Sequence, residues 1–176
     1  SAADDLNCRM YGAISDNFPD GLIQKNLYND SLSLKNMARI VDTEPGASEL
    51  NYNINGWGIA AYPNNASAIY RGEIRAYNDP LYTTTISNLN TNKPNILLAH
   101  VRHCTSGCCK VNNTVLEMVE NPHPFTRVKN GKTYTFEHNG GVTSSTMRTL
   151  IGTAYLNANA PFGSGVPECN TTNAND

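Results

Sequence analysis

Residues 95–103, with the sequence NILLAHVRH, form the most informative stretch of the chain. Its apolar run, ILLA, is bounded by polar residues, and a short apolar run of this kind is typical of a buried strand. The stretch becomes polar where the predicted strand ends, at His100, Arg102 and His103. Polar groups at the end of a buried strand are well placed to form a site, so we expect functional residues there.

Regular patterns on both sides of this strand predict a single domain of mixed α and β structure. Strand-like runs cover residues 8–15, 56–62, 68–75 and 132–137, and helical patterns cover residues 31–41, 79–89 and 144–150. The turn-forming Pro63-Asn64-Asn65 between two of these runs favours an antiparallel hairpin. Because the regular pattern dissolves after Asn157, we predict a domain over residues 8–156 and a loop or tail over residues 157–176.

The composition argues against two classes of function. Across 176 residues, 13 Lys and Arg balance 15 Asp and Glu, a net charge of -2, which argues against a basic nucleic-acid-binding surface. The longest apolar runs are far shorter than the roughly 20 residues of a membrane-spanning helix. We therefore expect neither a nucleic-acid nor a membrane partner.

The five cysteines divide into Cys8, which stands alone, and a later group of four: Cys104, Cys108, Cys109 and Cys169. Four cysteines allow three pairings, and the two adjacent ones are unfavourable partners because a vicinal disulfide is strained. Two disulfides are typical of an exported protein, so we expect a secreted or periplasmic location, with a cytoplasmic one as the alternative.

Five short motifs, rich in polar and turn-forming residues, follow one another along the chain. They are Cys8-Arg9, Gly56-Trp57-Gly58, His100-Val101-Arg102, Asn121-Pro122-His123-Pro124-Phe125 and His138-Asn139-Gly140. In this order they resemble the glutaminase domain of class II glutamine amidotransferases, a family of N-terminal-nucleophile hydrolases, and above all its small stand-alone members. The resemblance extends from Cys8 to Val142, which is most of the chain.

This resemblance implies an α+β fold, a four-layer αββα sandwich, and hydrolysis of a γ-glutamyl amide. Cys8 would be the nucleophile, and its freed α-amine, with an ordinary pKa of about 7.7 to 8.0, would be the base. We therefore expect Ser1 to Asn7 to be a propeptide or leader that must be removed. By itself, an isolated cysteine such as Cys8 is more often a half-cystine or a buried thiol.

The resemblance also assigns the contacts with substrate. Arg102 would grip the α-carboxylate, for which a planar guanidinium is well suited, and Thr105 would assist it. Asn139 and Gly140 would form the oxyanion hole, although Asn-Gly is also a common hairpin turn. Asp176 would either bind the α-amino group or be a tail residue. A surface ion pair is the alternative role for Arg102.

Supporting positions near the site are Trp57, His100, His123 and His138, together with Asn121 and Phe125. For Trp57 the preferred role is a residue of the hydrophobic core, and for His123 it is a histidine packed beside the site. Asn55 replaces an Asp that the family often has before Gly-Trp-Gly, so no charge-dependent role is expected there.

A metal centre is the alternative interpretation of His100, His103, Cys104, Cys108 and Cys109. Their spacing lacks the paired arrangement of familiar zinc sites, so we predict no metal, and the chemistry requires no cofactor.

The leading hypothesis is cysteine-dependent hydrolysis of glutamine or another γ-glutamyl compound. That small-molecule substrate is then the expected partner. Family members continue beyond the position of Asp176 with further strands and a helix, so we expect a complementary C-terminal fragment to complete the fold. A homo-oligomer is a second expected assembly. The alternative function is a catalytically silent, disulfide-stabilised binding protein on the same scaffold.

Overall fold

The computed structural model describes residues 8–39, 53, 55–63, 67–103, 110–111, 114–115, 123–139 and 144–158. Within these ranges a four-stranded antiparallel sheet has the strand order β1-β4-β2-β3. Its strands are β1 (Arg9–Ile14), β2 (Trp57–Tyr62), β3 (Ala68–Gly72) and β4 (Ile96–Val101). The apolar run that predicted a buried strand is therefore β4, which lies inside the sheet between β1 and β2. The predicted hairpin around Pro63 is confirmed as the β2–β3 pair.

Two shorter strand pairs accompany the main sheet. They are β5 (Lys110–Val111) with β6 (Thr114–Val115), and β7 (Phe125–Lys129) with β8 (Lys132–Phe136). The turn between β7 and β8 uses Asn130 and Gly131, whose φ angles of 53° and 71° suit a tight hairpin. The sequence predicted β8 but not its partner β7.

The first two helices are short, and only the second of them was predicted from the sequence. Helix α1 (Leu22–Gln24) continues into one π-helical turn (Lys25–Asn29), and α2 covers Leu34–Met37. Ser33 caps α2, since its hydroxyl accepts the backbone N–H of Asn36 at 3.3 Å. The sequence leaves Ser31 and Ser33 open as the cap of the helix predicted over residues 31–41, and the structure uses Ser33, so Ser31 and Leu32 precede the helix. The end of that prediction lies outside the described residues.

Helix α3 (Pro80–Asn92) begins as its sequence predicted. The Asp79 side chain accepts the backbone N–H of Leu81 at 2.8 Å, and Pro80 occupies the first turn, where its missing N–H costs nothing. The helix runs three residues beyond the predicted end at Leu89 and stops at Lys93, whose φ of 42° is left-handed. Two final helices follow, α4 (Ser144–Ile151), as predicted, and α5 (Thr153–Ala158).

One face of the sheet forms the hydrophobic core with the helices. Its inward positions alternate along the strands, as they must in a pleated sheet. The buried side chains of this core are Phe18, Ile23, Leu27, Leu34, Ala38, Trp57, Ile59, Ala61, Ala76, Tyr82, Ile86, Leu89, Leu97, Ala99 and Val101. Antiparallel sheets combined with helices agree with the α+β class. None of the helices among the described residues has both the length and the hydropathy to cross a membrane.

Candidate active site

Three strands of the sheet bring the sequence motifs to one end. Arg9 at the start of β1 and Trp57 at the start of β2 both pair with Val101 at the end of β4. Just beyond the ladder, the backbone N–H of Arg102 donates to the carbonyl of Gly56 at 2.9 Å. Because antiparallel neighbours begin where β4 ends, Cys8, Gly56 and Arg102 converge although they are far apart in sequence.

The thiol of Cys8 is half-buried and contacts the backbone of His103. The N–H of His103 donates to Sγ at 3.3 Å, and the thiol can donate to the carbonyl of the same residue at 3.5 Å. The backbone of His103 therefore holds the sulfur of Cys8 just beyond the end of β4.

Arg102 lies under the surface at this end of the sheet, with only 5% of the residue exposed. This burial does not fit the alternative of a surface ion pair. A desolvated guanidinium interacts strongly with a carboxylate, since little water competes for its donors.

On the face opposite the core, a row of cross-strand neighbours carries the site's polar groups. His100 on β4 lies opposite Met10 on one side and Gly58 on the other, and Gly58 lies opposite Arg71. Trp57 faces the other way, into the core, where its indole N–H donates to Asp79 at 2.7 Å. The sequence grouped Trp57 with His100, but the strand register places their side chains on opposite faces.

His100 and His123 form a buried pair, with 1% and 3% of their surfaces exposed. His100 Nε2 lies 3.3 Å from His123 Nδ1, and the same Nδ1 lies 3.4 Å from the backbone N of His138. Burial lowers the pKa of His100 to about 3 and that of His123 to about 4, with further contributions from neighbouring positive groups including Arg102. Both rings are therefore neutral at physiological pH.

The segment that carries His123 is packed directly on the backbone of β2. A Cβ placed on Gly58 would lie 2.0 Å from the carbonyl oxygen of His123, so no side chain fits at this position. Arg71 Nη2 donates to the carbonyl of Pro124 at 2.6 Å and secures the same segment from β3. Close packing thus requires the second glycine of Gly-Trp-Gly. This gives a physical reason for a motif that the sequence showed only as a resemblance to the family.

Two polar residues of this region were not singled out from the sequence. Arg71 is one; an arginine in the otherwise apolar run AIYRG was the available signal. Glu137 is the other; its Oε2 is buried and has no hydrogen-bond partner among the described residues, and burial raises its pKa to about 7. Nothing local in FEHNG distinguishes that glutamate from an exposed one.

Several predicted positions lie outside the described residues. They are Thr105, Asn121, Gly140, Asp176, the cysteines 104, 108, 109 and 169, and the leader 1–7. Asn139 is described and is exposed directly after His138. Within the described ranges, no group of three His, Cys, Asp or Glu side chains could hold a metal ion.

Sequence comparison identifies the class of protein to which this site belongs. The family model of class II glutamine amidotransferases matches residues 43–165, well over half of the chain. The chain therefore belongs to this family. The match includes four of the five motifs, and Cys8-Arg9 precedes it.

Among individual proteins, the chain is similar to an uncharacterized protein of Methanocaldococcus jannaschii. The two are 34% identical over 86 residues, which are 49% of this chain and 21% of the relative. The matched segment thus spans about a fifth of that relative's length, and the relative's printed name gives no activity.

Proposed function

We propose that this chain hydrolyses the γ-glutamyl amide bond of glutamine or a related compound, with Cys8 as the nucleophile. The observation that carries the proposal is the convergence of Cys8 and Arg102 at one end of the sheet, in a chain of the amidotransferase family. A thiol and a buried guanidinium at the same end of one sheet suit an amide substrate that also carries a carboxylate.

The proposed reaction has two steps. The thiol proton passes to the α-amine of Cys8 while sulfur attacks the side-chain carbonyl carbon, and the resulting ammonium returns the proton to the departing nitrogen as the C–N bond breaks. Ammonia leaves and a thioester remains. Water then attacks the thioester and gives a proton to the α-amine, which passes it to the departing sulfur as the C–S bond breaks, so that glutamate is released and the thiol is restored. The amine is basic only when it is not in a peptide bond, so Ser1 to Asn7 would have to be removed first.

The remaining roles follow the family pattern. Arg102, assisted by Thr105, would bind the α-carboxylate, and Asp176 would bind the α-amino group. Asn139 and Gly140 would stabilise the oxyanion of the tetrahedral intermediate, a contribution of a few kcal/mol for each preorganised donor.

The proposal extends to the finer architecture. A four-layer αββα sandwich would place the site between its two sheets, and a complementary C-terminal fragment would complete the fold. A homo-oligomer is a separate proposal. Secretion or a periplasmic location remains a prediction that depends on the four later cysteines.

The deciding experiment compares two preparations, one beginning at Ser1 and verified as uncleaved by mass, the other beginning at Cys8. We expect glutamine hydrolysis, measured as glutamate and ammonia, only from the second preparation. Cys8→Ala in the trimmed form is the matched control and should be inactive. Equal rates from both forms would refute the α-amine mechanism. No turnover of any γ-glutamyl compound by the trimmed protein would favour the silent binding protein.

A further inference from the structure

We propose that His123 is a positioning residue whose ring Nδ1 holds the backbone N–H of His138, the residue that precedes Asn139. The catalytic consequence rests on the function proposed above, in which Asn139 contributes to the oxyanion hole. The contact itself is a matter of hydrogen bonding and can be tested independently.

The first step of the argument is that His123 is held firmly. Its carbonyl packs on the bare backbone of Gly58, the next residue is secured by the 2.6 Å hydrogen bond from Arg71, and its ring makes edge contacts with His100 and Phe125 at centroid distances of 4.6 and 4.7 Å. A ring fixed by packing on several sides can impose its position on a neighbouring segment.

The second step is the direction of the hydrogen bonds. The backbone nitrogen of His138 can only donate, so Nδ1 of His123 must accept, and the proton of the neutral ring resides on Nε2. His100 then donates from its own Nε2 to the same Nδ1. We assign these tautomers from the network. The low pKa of His123 keeps its ring neutral and able to accept.

The third step is where His138 lies in the chain. The ladder between β7 and β8 ends at the pair Phe125 and Phe136, so its hydrogen bonds do not extend to His138. Asn139 follows immediately and is exposed. The ring of His123 therefore fixes the chain just after it leaves the strand and just before the residue whose amide must be aimed at the substrate.

The test uses two replacements of the same shape in protein that begins at Cys8. In His123→Asn, the side-chain oxygen can occupy the place of Nδ1 and accept from His138. In His123→Leu, the side chain has the same branching and no acceptor. We expect His123→Leu to lower kcat for glutamine about 10- to 100-fold with a nearly unchanged KM, because a misplaced donor weakens the transition state rather than substrate binding. His123→Asn should recover most of that loss.

A second readout does not depend on activity. Hydrogen exchange at the His138 amide, followed by NMR, should be at least about tenfold faster in His123→Leu than in the parent, whereas His123→Asn should remain protected. If His123→Leu does not fold, His123→Gln replaces it, since its acceptor reaches the place of Nε2 and leaves that of Nδ1 empty.

The outcomes separate the two proposals. Equal kcat and equal exchange in the Asn and Leu variants would overturn the positioning role, as would a loss confined to KM. An inactive parent with a protected His138 amide would overturn the proposed hydrolysis and uphold the contact.

Discussion

Replacement of Gly58 by alanine tests the close packing on which the site is built. The added methyl would lie 2.0 Å from the carbonyl oxygen of His123 and 2.9 Å from its carbonyl carbon. An ordinary C···O separation is about 3.3 Å, so the segment would have to retreat by more than about 1 Å. Such a shift would also disturb the hydrogen bond from Arg71 to Pro124.

The expected cost follows from these two effects. Overpacking of a tight contact costs about 1 to 3 kcal/mol, and a hydrogen bond from a charged group contributes about 1.5 to 3 kcal/mol, less when the group is partly exposed as Arg71 is. We therefore expect Gly58→Ala to lower the free energy of unfolding by about 2 to 4 kcal/mol.

The matched control is Gly12→Ala, on the same face of the same sheet. Among the described residues, a Cβ there would meet only Leu98, at an ordinary contact distance of 3.4 Å. The change in free energy of unfolding should stay within about 1 kcal/mol and favour the folded state, because alanine restricts the unfolded chain.

Urea unfolding followed by the fluorescence of Trp57, the single tryptophan, provides the assay. Trp57 precedes the mutated position and is fully buried, so its emission reports on unfolding of the sheet. If the two alanine variants have the same free energy of unfolding, the close approach of His123 to β2 is refuted.

Four further outcomes are expected. His100 and His123 have pKa values of about 3 and about 4 in the folded protein, so both rings stay neutral there above pH 4.5. In the unfolded chain they bind protons below their ordinary pKa of 6.5. The free energy of unfolding should therefore fall as the pH drops from 6.5 to 4.5, by up to about 1.4 kcal/mol per pH unit for each histidine. Glu137 opposes this trend, because its pKa is raised from 4.5 to about 7 and its contribution to the free energy of unfolding is lost as the pH rises through that range. Glu137→Gln should therefore steepen the pH dependence of the free energy of unfolding in urea titrations. A flat pH profile would contradict the neutral state of the two histidines. Arg102→Lys should raise KM for glutamine strongly and slow alkylation of Cys8 by a glutamine-like chloroketone, because a point charge cannot reproduce a bidentate contact; unchanged kinetics would remove Arg102 from the site. Peptide mapping without reductant should find Cys104, Cys108, Cys109 and Cys169 in two disulfides, and four thiols would remove the argument for export.

Local signals were sufficient for several elements of the fold. The apolar run of β4, the turn-forming residues after β2 and the Asp-Pro start of α3 each depend on neighbours a few residues apart, and all three predictions are confirmed. The ordered motifs likewise indicated the family. For α2 the sequence left Ser31 and Ser33 as possible caps, because periodicity alone cannot choose between two serines, and the hydrogen bond from Asn36 selects Ser33.

The sequence by itself determined which residue types gather near the site, but the tertiary structure decided which of them face it. Side chains alternate along a strand. The registers of β2 against β4 and against β3 therefore direct His100 and Arg71 to one face of the sheet and Trp57 to the other. The requirement for glycine at position 58 and the acceptor role of His123 also depend on segments 65 and 15 residues away along the chain, respectively. Such long-range contacts leave no periodic signal in the sequence, because they arise only when the sheet and the segment at His123 pack together.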